Sequence, residues 1–133
     1  MATIRAYTTI EQSRKLAEIL PLESADMVYF GIYQGIDGKY HLSGTNTEDD
    51  VIPIYKNLCT KVFTKTTTSD IICMLPCWSL SALLDVLPNG NMLVKTTEGG
   101  YYCLSKYSMT KHYNNPIDAC YEMILKLHEL NLL

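Results

Sequence analysis

The sequence predicts an α+β fold with a mainly antiparallel sheet and three helices, near residues 10–20, 79–87 and 116–130. Three observations carry this expectation. Capping residues stand in front of apolar residues spaced at helical intervals. Runs rich in aromatic and β-branched residues lie between them, bounded by Gly and Asp. The order helix, strands, helix, hairpin, helix lacks the regular βα alternation of a doubly wound parallel sheet. At 133 residues and 47% hydrophobic content, a single domain spanning 1–133 with a core of its own is expected, with no need of disulfides or metal.

The first helix opens on two overlapping capping boxes, Thr8 with Glu11 and Thr9 with Gln12, in which side chains satisfy orphan backbone N–H groups reciprocally. A turn of about 100° per residue puts Ile10, Ser13, Leu16, Ala17 and Leu20 on one side. Glu11, Arg14, Lys15 and Glu18 fall on the other, with Glu11 and Lys15 at a favourable i,i+4 spacing. Pro21 stops the helix.

Met27 to Tyr33 is rich in aromatic and β-branched residues and is expected to be a strand. A turn over Gly35-Ile36-Asp37-Gly38 leads to a return strand at Lys39 to Leu42. The polar, acidic stretch Thr45 to Asp50 is expected to be an exposed loop. Val51 to Ile54, Thr60 to Thr64 and Asp70 to Leu75 are short strand candidates, and Thr64 to Ser69 suits a loop or an edge strand.

Past Pro76, Leu80, Leu83, Leu84 and Leu87 share one arc, so a second helix should begin near Cys77 or Ser79 and end at Pro88-Asn89-Gly90. Trp78 is expected to pack over its start. Met92 to Thr96 and Tyr101 to Ser105 then form a hairpin through Glu98-Gly99-Gly100. In the last helix Asn115 is a good N-cap, Pro116 suits the first helical position, and Asp118 places negative charge in the first turn. Asp118, Glu122, Lys126 and Glu129 form a narrow polar stripe. Ile117, Cys120, Tyr121, Met123, Ile124, Leu127 and Leu130 cover most of the rest. So wide an arc is either wedged between two surfaces of the same fold or shared with a partner chain.

Composition excludes several function classes. A net charge of −3 and a pI near 5.5, with basic residues scattered, argue against general nucleic-acid binding. No stretch approaches the ~20 apolar residues that would span a bilayer; with no export signal either, a cytoplasmic location is expected. Five cysteines then read as free, buried thiols. Cys73 and Cys77 form only one ligand pair, and none of His41, His112 and His128 supplies a second, so no metal or cofactor is expected. Pro76-Cys77 lacks the second cysteine and the upstream His-x-Glu of a zinc deaminase. Gly31, Gly35 and Gly38 match no phosphate-binding loop, and no Gly-x-Ser-x-Gly is present.

Three stretches form a recognisable set: YTTIEQSRKL at 7–16 running on to LESADM at 22–27, LPCWSLSALLDVLP at 75–88, and NPIDACYEMI at 115–124. Together they resemble a family of small uncharacterised proteins from gut bacteria and the phages or mobile elements they carry. The resemblance covers about half the chain, mostly its helices. It implies a cytosolic accessory protein of phage or mobile-element origin, and it carries no catalytic residue, cofactor or substrate with it.

With no catalytic motif, the expected function is a non-enzymatic interaction module whose partner is another protein or a second copy of the chain. Tyr and Trp combine apolar area with a polar tip and are enriched at interfaces. The candidate contact residues are Trp78, Tyr101, Tyr102, Tyr121, Met123, Leu127 and Leu130. Two alternatives remain: a small enzyme assembling His41, His112 or His128 with a nearby acid, and nucleic-acid binding through a local patch of Lys56, Lys61 and Lys65.

Overall fold

A computed structural model describes residues 5–30, 32–34, 40–42, 52–56 and 74–133, with side chains omitted at 30, 32–34, 40–42 and 74. It is an α+β fold with antiparallel strand pairing throughout the described residues. The chain divides into two compact units, residues 9–78 and residues 1–8 with 79–133.

The unit formed by 9–78 opens with α1 (Ile10–Ile19). Of the two possible capping boxes the chain uses the second. Thr9 Oγ1 accepts from the Gln12 N–H at 3.1 Å, and Gln12 Oε1 accepts from the Thr9 N–H at 3.0 Å. Thr8 is buried instead. Ile10, Ser13 and Leu16 form the buried side of the helix, as its periodicity requires. Lys15 lies 3.8 Å from Glu18 on the polar side.

Among the described residues three strands make one sheet of this unit, in the order β4 (Pro53–Tyr55), β1 (Met27–Phe30), β5 (Met74–Cys77). Val28 faces Ile54 on one side and Pro76 on the other. Both flanking strands carry a proline, which cannot donate to a ladder and is tolerated at sheet edges. The expected strand from Met27 to Tyr33 is divided between two sheets. Its first part is β1, whereas β2 (Ile32–Gln34) pairs with β3 (Tyr40–Leu42). The return strand is therefore present, while the turn at 35–38 lies outside the described residues. So do the loop expected at 45–50 and the segments expected at 60–64 and 64–69. Of the strand expected at 70–75 only the end is described, and it continues to Cys77.

The other unit holds α2 (Leu80–Val86), β6 (Met92–Lys95), β7 (Tyr101–Leu104) and α3 (Pro116–Glu129). Ser79 caps α2 by accepting from the Ala82 N–H at 3.2 Å. Gly90, with φ +92°, follows the helix in a turn that favours glycine. The β6–β7 hairpin pairs Met92 with Leu104 and Lys95 with Tyr101. Its turn places Gly99 at φ +91°, and the Thr96 N–H donates to Gly100 O at 2.8 Å. Asn115 Oδ1 accepts from the Ile117 N–H at 2.9 Å to start α3, with Pro116 in the first turn.

Most of the wide apolar arc of α3 is buried inside this unit. Ile117, Ala119, Cys120, Met123, Ile124 and Leu127 are buried, and the helix packs against β7, β6 and α2. The wedge between two surfaces of its own fold accounts for these six residues, while Tyr121 of the same arc is half-buried and Leu130 exposed. The polar stripe also has a structural use. Asp118 accepts from the Arg5 guanidinium at 2.6 Å, and Glu122 Oε2 accepts from the Lys111 N–H at 3.0 Å. These bonds tie the chain before α1 and the segment after β7 to the same helix. No helix among the described residues is long and apolar enough to cross a membrane.

Candidate functional site

The contact residues expected from sequence divide by environment. Trp78 is fully buried, and its indole N–H donates to Ser24 Oγ at 3.0 Å. That hydrogen bond reaches the segment after α1. Met123 and Leu127 are buried in α3. These three side chains are occupied by the interior, with Leu127 alone also bordering a cleft. Tyr101, Tyr102 and Tyr121 are half-buried, and Leu130 is 51% exposed just past the end of α3.

The hairpin separates its residues cleanly. Successive side chains of a strand point to opposite faces, and directly paired residues share a face. Cys103 is buried with its sulfur against Cys120 of α3, so its face, shared with Leu93, is the one that meets the helix. Met92, Val94, Tyr102 and Leu104 must then lie on the opposite, outer face.

Residues 109–113 extend that outer face. Tyr101 and Tyr113 exchange backbone hydrogen bonds of 2.7 and 2.8 Å, and Leu104 bridges to Met109. At Cys103 the ladder is completed by a side chain: its N–H donates to Thr110 Oγ1 at 2.9 Å, and the Thr110 N–H donates to Cys103 O at 3.0 Å. Met92, Leu104 and Met109 consequently form a row across the face, with Met92 53% and Met109 55% exposed. Tyr102 stacks on His112 with centroids 4.8 Å apart and the rings inclined by 26°. Exposed thioethers and a paired aromatic make a flexible, polarisable surface suited to apolar partners. The edge of β6 away from β7 has no strand beside it among the described residues. Such an edge offers backbone donors and acceptors to an added strand.

The groups that would support chemistry are not assembled in this way. The His41 side chain lies outside the described residues. His112 is exposed and stacked on Tyr102, and His128 is exposed near the end of α3. Neither has a carboxylate hydrogen-bonded to it among the described residues. Lys56 donates to Leu22 O at 3.0 Å. Burial pulls its pKa down, against the opposing pull of Glu23 and Asp26, so it is engaged by its own unit; Lys61 and Lys65 lie outside the described residues. Among the described residues no group of three or more His, Cys, Asp or Glu could hold a metal ion.

A cleft of about 270 Å³ lies beside the turn after α2, lined in part by Asn91, Lys106, Tyr107, Leu127 and Leu132. It falls just below the ~300–1,000 Å³ of typical small-molecule sites. The Lys106 ammonium sits 5.6 Å from the Tyr107 ring centroid, and the Asn91 amide donates to Pro88 O at 2.8 Å. These contacts close the turn and hold the rim, and they bring no acid–base pair together.

Sequence reasoning missed Met92, Met109 and His112 as surface residues. The alternation of Met92-Leu93-Val94 was a usable signal, because a strand with one face on a helix must point every second residue away. Comparison with protein-family models, with curated proteins and with solved structures returned no match to this chain.

Proposed function

We propose that this chain is a non-enzymatic binding module whose contact surface is the outer face of the β6–β7 hairpin and residues 109–113. The row of Met92, Leu104 and Met109 carries this reading. Two large apolar side chains stand more than half exposed on a structured, hydrogen-bonded face, not on a loose loop. A partner that covers them gains roughly 25 cal/mol for each Å² of apolar surface removed from water. The fitting partner is a protein with an apolar patch, able also to lay a strand along the edge of β6. An accessory role of this kind agrees with the resemblance noted in the helical segments.

A photo-crosslinking residue at position 109, compared with one at Glu98 in the hairpin turn, tests the proposal in native host cells. Crosslinks to one discrete species from 109 and none from 98 support it, and light scattering of the purified chain then separates a second copy from a different protein. Equal, diffuse crosslinking from both positions would sink it.

A further inference from the structure

The face of the hairpin turned toward α3 holds a second feature. Cys103 on β7 and Cys120 on α3 are both free and fully buried, and their sulfur atoms lie 3.8 Å apart. Neither thiol is loosely held. The Cys103 backbone is fixed on both sides by Thr110, at 2.9 and 3.0 Å, and Cys120 sits in the interior of a 14-residue helix. A disulfide needs the two sulfurs at about 2.05 Å, so side-chain rotation must bring them closer by a little under 2 Å. Sulfur atoms already in contact, on two elements that pack together, meet the main geometric requirement.

We infer that Cys103 and Cys120 form a reversible dithiol–disulfide pair that, when oxidised by a small-molecule disulfide, locks β7 to α3. The electron count is simple. A Cys103 thiolate attacks one sulfur of the oxidant and expels a thiolate, leaving a mixed disulfide. Cys120, losing its proton to that departing thiolate, attacks the Cys103 sulfur and expels the second thiolate, which takes up the proton released by Cys103. One intramolecular disulfide and two small thiols result; the two electrons pass from the cysteine pair to the oxidant. The order of attack follows from the contact between the thiols. The hydrogen bond with Cys120 lowers the pKa of Cys103 despite burial, whereas the same bond, aided by burial, raises that of Cys120. Because both sulfurs are buried, the exchange waits on local opening and is slower than at an exposed thiol.

Peptide mapping of the purified full chain decides the matter. The reduced protein is held in excess oxidised glutathione, alkylated in denaturant and cut with trypsin. The expected product is peptide 96–106 joined to peptide 112–126, with no glutathione retained on either. Recovery of both peptides alkylated, or Cys103 joined to another cysteine, would overturn the inference. A bridge closing a loop of this length should also raise the melting temperature by about 5–10 °C. Under the same treatment Cys120→Ala should show no such rise. The mapping of the unaltered chain stands even where that variant folds poorly.

Discussion

The two faces of the β6–β7 hairpin are built from the same four-residue strands and do opposite things. On the face toward α3, Cys103 is fully buried and bonded through sulfur to the helix. On the other, Met92 and Met109 stand more than half exposed, around a tyrosine stacked on a histidine. Both faces carry large apolar side chains, so hydrophobicity alone does not separate interior from contact surface. Strand alternation does, once a single residue is known to touch the helix. The difference teaches that the inner face holds the fold together, and the outer face holds apolar area that the fold does not use.

If that division is sound, substitutions should sort by environment. The largest loss belongs to the interior of the other unit. Trp78→Ala removes a buried ring and its bond to Ser24, and should cost ~3–5 kcal/mol, measured by urea unfolding. Asn115→Ala removes the cap of α3 and should cost about 1 kcal/mol. Glu122→Ala should cost a similar ~1 kcal/mol, since the Lys111 N–H it holds is near the surface. This variant sharpens the comparison: residues 109–113 keep their backbone bonds to β7, so crosslinking at 109 should persist despite the stability loss.

A smaller effect concerns pH. Burial, with a hydrogen bond to Glu122, raises the pKa of Tyr113. A group whose folded pKa lies above its unfolded value stabilises the fold below the unfolded pKa and loses that contribution as pH rises through the folded one. Thermal melts should therefore show a slight loss above about pH 10, absent in Tyr113→Phe.

The helices were legible because their signals are local. Thr9 with Gln12, Ser79 before its leucines, and Asn115-Pro116 each specify a start within four residues of sequence, and the observed caps use those residues. What was not legible depends on partners distant in sequence. Met27 to Tyr33 has uniform composition, yet β1 and β2 pair with different strands. Trp78 was expected at a surface or over α2; its burial and its bond to Ser24 depend on a residue 54 positions earlier. The polar stripe of α3 is plain in the sequence but its use is not: two of its acids anchor Arg5 and Lys111. The pairing of Cys103 with Cys120 arises where β7 meets α3, a contact that neither segment encodes alone.

The most direct measurement pairs stability with binding in the double variant Met92→Ser, Met109→Ser. Exposed positions of this kind usually alter stability by less than about 0.5 kcal/mol. We expect its unfolding midpoint to match that of the unaltered chain, while crosslinking from a probe placed at Val94 on the same face disappears. A variant that unfolds much more easily, or one that retains every crosslink, would contradict the assignment of that face to a partner.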